Sequence, residues 1–80
     1  MDTVSRPIWE IAYETRKLWQ KPYFGAVPYL DAMCSLTNIT DDYGCDSGRS
    51  VVAYFLANAT SWKGDDARRI KKELNAMLKS

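Results

Sequence analysis

Apolar residues recur at helical spacing in four separate stretches of this eighty-residue chain, and proline or glycine stands between them. A strand would need alternation of apolar and polar side chains, and no stretch alternates convincingly. The expected fold class is therefore all-α. It is a compact single-domain bundle of about four short helices covering 1–80, with helices near 6–20, 27–36, 47–61 and 66–79. A chain this short buries only ~60–65% of the surface its unfolded form exposes, so its core must be efficient.

The first stretch opens near Ser5 as N-cap with Pro7 in the first turn, and Ile8, Ile11, Ala12, Thr15, Leu18 and Trp19 form its apolar face. Pro22 ends it by pushing the preceding residue out of the helical region. The second opens after Gly25 with Pro28 at or near its first position, and Tyr29, Leu30, Met33 and Leu36 are its buried candidates. From Thr37 to Gly48 the composition is that of a turn-rich loop, with Ile39 and Tyr43 placed to pin it to the body. The third stretch, capped by Asp46 or Ser47, is the most hydrophobic and should be central. Val51, Val52, Phe55, Leu56, Ala59 and Trp62 make its face, and Gly64 caps its end. The fourth starts at Asp65 or Asp66, whose carboxylates suit a helix N-terminus, and buries Ala67, Ile70, Leu74, Met77 and Leu78. A short Trp62-Lys63-Gly64 link makes the last two helices a helical hairpin or corner.

With 46% hydrophobic and 26% charged residues, the chain has the balance of an ordinary globular protein. No apolar run approaches the ~18–20 residues that cross a bilayer, and charges at Asp2, Arg6, Glu10 and Glu14 leave no signal-peptide core. The expected location is cytoplasmic, with no membrane partner. In that compartment Cys34 and Cys45 are expected as free thiols, and the sequons at Asn38 and Asn58 carry no glycan. The overall charge of +1 hides a dipole: residues 27–48 carry −4, and residues 49–80 carry +4.

Chemistry finds few groups to work with. The chain has no histidine, which removes the commonest general base and metal ligand, and no enzyme activity is expected. Cys34 lies among core-type residues without an activating partner. Asp41, Asp42 and Asp46 are the only metal-like group, but their spacing departs from the calcium-loop pattern. They read as a solvated turn, so neither metal nor cofactor is expected. A helix, a glycine turn and a basic helix resemble a helix-turn-helix DNA reader, with Arg49, Lys63, Arg68, Arg69 and Lys72 as phosphate contacts. Against that reading, Asp65 and Asp66 occupy the end of the helix that would face the DNA.

The aromatic residues point elsewhere. Ten rings occur in the chain, and six fall between Trp9 and Tyr29. A small bundle can bury some of them and leaves the rest as an aromatic surface. Trp, Tyr and Arg dominate interface hot spots because they cover large area at low entropic cost. Trp9, Tyr13 and Arg16 project from one side of the first helix, and Tyr23 lies in the connection that follows. Together they form the expected partner-binding surface, with Asp41 and Asp42 as an acidic rim. Trp19 and Tyr29 are assigned to the core. The same aromatic stripe would serve equally in a homo-oligomer.

Two phrases carry a resemblance: Pro22-Tyr-Phe-Gly-Ala-Val-Pro-Tyr-Leu-Asp-Ala-Met33, and Tyr54-Phe-Leu-Ala-Asn-Ala-Thr-Ser-Trp-Lys-Gly64 followed by Ala67-Arg-Arg-Ile-Lys-Lys-Glu-Leu74. In these the chain resembles small uncharacterised helical proteins encoded by bacteriophages and mobile elements of Gram-positive bacteria. The resemblance implies a protein that acts by binding a host or phage macromolecule, and it brings no catalytic residue. The expected function is a non-enzymatic protein-binding module, a phage-encoded modulator of a host process. Nucleic-acid binding through the basic face of the last helix is the alternative.

Overall fold

A computed structural model describes residues 6–44 and 46–79. Four helices carry the fold: α1 (Ile8–Leu18), α2 (Val27–Met33), α3 (Gly48–Ala57) and α4 (Asp65–Lys79). A single 3-10 turn, Phe24–Ala26, leads into α2. Between α2 and α3 lies an antiparallel ribbon that the sequence reading did not contain. It consists of β1 (Asp42–Tyr43) and β2 (Asp46–Ser47), with Asp42 opposite Ser47 and Tyr43 opposite Asp46. Two-residue strands are too short to show alternation in a sequence, and the composition there is that of a loop. Gly44, at φ 61°, stands where the chain reverses.

Each helix packs on two others in cyclic order: α1 on α2, α2 on α3, α3 on α4, and α4 back on α1. One core fills the space between them, with Phe55, Ile8, Ile11, Leu30, Met33, Ile70 and Leu74 fully buried in it. Burying side chains of this size contributes about 1.5–3 kcal/mol each, which makes this core the main source of stability. The Cα radius of gyration is 11.6 Å, which is what a compact chain of this length should have. No helix among the described residues is long and apolar enough to cross a membrane.

Helix ends depart from the expected boundaries for identifiable reasons. The proposed cap Ser5 lies outside the described residues, and Pro7 takes the N-cap position of α1 without a side-chain bond. Tertiary partners replace it: the amides of Ile8 and Trp9 donate to the carbonyls of Thr37 (3.0 Å) and Leu36 (2.8 Å). Helix α2 stops at Met33, and its continuation to Leu36 tightens into turns closed by Ser35 N–H to Ala32 and Leu36 N–H to Met33. Ser47 caps α3 by accepting the Ser50 amide at 3.1 Å.

The largest displacement is at the end of α3, which stops at Ala57 rather than near Ser61. The Asn58 amide still bonds the Tyr54 carbonyl at 3.1 Å, but the next amide, Ala59, donates to Leu56 at 3.2 Å, three positions back, so the last turn tightens and the helix stops. Ala59 and Trp62 are buried as expected, but from the connection rather than from a helix face. Gly64 consequently does not cap α3. It precedes α4, where its carbonyl accepts the Arg68 amide at 3.0 Å. In α4, Ala67, Ile70, Leu74 and Met77 are buried, as their spacing predicts, while Leu78 is only partly buried against the core.

Candidate functional site

Helix α1 turns one face inward and leaves the flank beside it in water. Ile8, Ile11, Ala12 and Thr15 are buried. Residues offset by about a quarter-turn from them are therefore exposed, and Trp9 and Tyr13 are two of these. They sit one turn apart, 39% and 51% exposed, with ring centroids 5.8 Å apart in an edge-to-face arrangement. Arg16, three residues further along the same flank, forms an ion pair with Asp31 of α2. Both side chains are about half exposed, so water screens the pair, and the flank is held chiefly by the packing of α1 on α2.

Tyr23 does not join this group. Its ring partner is Phe24, at 4.9 Å, and no ring contact among the described residues links it to Trp9 or Tyr13. It folds over Gly25 so closely that a β-carbon there would lie 2.6 Å from the Tyr23 ring and 2.9 Å from the Asn58 side-chain oxygen. Tyr54, one turn before Asn58, packs against Tyr29 at 5.4 Å and is 50% exposed. The expected single aromatic surface is thus two. One is the Trp9–Tyr13 flank of α1, and the other is a tyrosine-rich patch where the 3-10 turn meets the end of α3. Phe24, 79% exposed, and Tyr54 belong to the second patch; neither is among the expected contact residues. Tyr54 stands one position before the fully buried Phe55, about 100° around the helix, which sets it on the flank of α3.

The rings assigned to the core divide as well. Trp19 is buried, stacked on Trp62 at 5.4 Å with an interplanar angle of 7° and set edge-on to Phe55. Tyr29 is only half-buried, because Tyr54 covers one side of it. Leu18, placed on the apolar face, is 38% exposed at the last turn of α1.

The acidic loop has a structural occupation. The Asp41 carboxylate accepts the amides of Thr37 (3.0 Å) and Asn38 (2.9 Å), and these bonds hold its pKa below the ordinary aspartate value, Asn38 contributing most. Asp42 and Asp46 are exposed on the ribbon. Ile39 packs on the core as expected, whereas Tyr43 does not pin the loop and is 45% exposed. Cys34 is a half-buried free thiol, and Cys45 lies outside the described residues. Among the described residues no three Cys, Asp or Glu side chains gather as a metal site would require.

The five basic residues of the alternative reading do not form one free surface: two serve intramolecular partners, and three are exposed. Arg49 donates to the Leu78 carbonyl at the end of α4. Arg69 bonds Glu14 at 2.8 Å and Asp66 at 3.4 Å. Lys63, Arg68 and Lys72 remain exposed, with Arg68 only 3.6 Å from the fully solvated Asp65. Arg6 was not expected to matter, yet it grips Glu73 through two bonds of 2.7 and 3.0 Å and pairs with Glu14 at 2.8 Å. Comparison with known protein families, curated proteins and solved structures finds no match to this chain.

Proposed function

We propose that this protein is a non-enzymatic binding module that docks another protein on the Trp9–Tyr13 flank of α1. The observation that carries the reading is the pairing of two large, part-exposed rings on a helix whose other face is anchored in the core. Paired rings of this kind offer area to a partner while losing little side-chain freedom on binding. The tyrosine-rich patch around Tyr23 is a secondary surface, separate from the first. The setting implied by the sequence resemblance is a phage-encoded modulator acting in the host cytoplasm.

The nucleic-acid alternative has weaker support, because Arg49 and Arg69 already serve intramolecular partners. Two measurements test the proposal. Replacing Trp9 and Tyr13 together with alanine should abolish partner capture while far-UV circular dichroism stays at the wild-type level. A Tyr43→Ala control should capture normally. Loss of helicity in the double variant would assign the rings to stability instead. Light scattering then asks whether the partner is a second copy of this chain.

A further inference from the structure

The 58–64 connection and the first turns of α4 enclose an open recess of roughly 330 Å³, lined by Thr60, Trp62, Lys63, Gly64, Arg68 and Lys71 among others. Three of these side chains are cationic, and among the described residues no carboxylate lines the recess. Lys71 donates one of its three N–H bonds to the Trp62 carbonyl at 2.6 Å, which fixes its ammonium at the wall. Lys63 stands near enough to repel it. Burial first, and then the Lys63 charge, push the Lys71 pKa below the usual lysine value. Among the described residues Arg68 has only Asp65 as an ion partner, at 3.6 Å with side chains 79% and 99% exposed, a pair that water screens and an incoming anion can replace. Asp65 and Asp66 already complement the α4 N-terminus, so the attraction in the recess comes from side-chain cations rather than the helix end.

We propose that this recess binds the phosphoryl group of a small phosphate monoester, held by Lys63, Arg68 and Lys71. A phosphate dianion supplies oxygen acceptors for three separate donors and sits between two like charges that otherwise repel. The volume exceeds that of a bare phosphate and lies in the range of small-ligand sites, which leaves room for the organic part of the ester. None of these residues belongs to the Trp9–Tyr13 flank, so the two proposals stand or fall separately.

The test is an amide-resolved NMR titration of the full chain with inorganic phosphate and with adenosine monophosphate, ionic strength held constant with sodium chloride. The Gly64 and Ala67 amides should shift saturably, and the monoester should bind at least as tightly as phosphate. Replacing Lys63 and Arg68 with glutamine should weaken binding by about tenfold or more, as expected for losing two charge-assisted contacts. Lys72→Gln, an exposed charge on α4 outside the recess, should leave binding unchanged. Absence of saturable shifts up to about 20 mM of either probe overturns the proposal, since that sets Kd beyond any specific site. So does equal weakening by Lys72→Gln, which would mark diffuse attraction. A single-stranded oligonucleotide forms the third arm. Binding of that polyanion alone, steeply salt-dependent, would replace the small-molecule site with a nucleic-acid surface.

Discussion

Thr15 shows how the core accommodates a polar atom. It is wholly buried on α1, and its hydroxyl donates to the Ile11 carbonyl one turn back at 2.8 Å. The bond is local, so removing the hydroxyl strands no distant partner. The methyl group, by contrast, packs against the core. Thr15→Val should therefore stay within about 1 kcal/mol of wild type, the net value of one such hydrogen bond. Thr15→Ser keeps the bond but removes a buried methyl and should cost about 1 kcal/mol. Urea denaturation of the two variants decides the matter: a serine variant more stable than the valine one would mean the hydroxyl outweighs the packing. Such a residue is visible in sequence only as one member of an apolar stripe.

At the level of elements, the start of α3 is fixed from outside the helix. A β-carbon on Gly48 would lie 2.9 Å from the carbonyl oxygens of Asn38 and Ile39 and 3.0 Å from that of Asp41. The Gly48 amide itself donates to Asp41. The loop carbonyls thus close over the first turn of α3, and only glycine admits them. Alanine has the higher helix propensity by about 1 kcal/mol, so propensity alone predicts that Gly48→Ala stabilises α3. The packing argument predicts the opposite, a loss of about 1–3 kcal/mol from forced displacement of the loop. A denaturation midpoint at or above that of wild type would show that the loop yields without cost. The capping serine beside it was readable from sequence, because Ser47 acts through a residue three positions away. The close approach of the loop was not, because its partners lie seven to ten positions earlier.

Across the whole molecule, a charge network joins segments that sequence places far apart. Arg6 binds Glu73 and Glu14, and Glu14 in turn binds Arg69, so the chain before α1, α1 itself and α4 meet in one cluster. Arg69 first, and then Arg6, hold the Glu14 carboxyl below the ordinary glutamate pKa. A folded-state value below the unfolded one means the contribution is complete above about pH 4.3, the unfolded value, and fades as pH falls through the lower folded value. The Tm of wild type should therefore fall more steeply on acidification than that of Glu14→Gln, and the two curves should converge at the acid end. Parallel curves would remove Glu14 from the acid response. Asp41 titrates in the same sense, held by the Asn38 and Thr37 amides, so part of the acid sensitivity should survive in the variant.

What the sequence determined by itself is what depends on near neighbours along the chain: four helices, most of the inward stripes of α1 and α4, and a cap for α3 at Asp46 or Ser47, of which Ser47 makes the bond. Helical period is local geometry, and eighty residues suffice to display it four times. Tertiary structure decided which rings face water. It set Trp19 against Trp62 and Phe55, parted Tyr23 from Trp9 and Tyr13, and assigned Arg69 to Glu14. Each of these outcomes rests on contacts between residues distant in sequence, whose energies enter only when the helices close on one another.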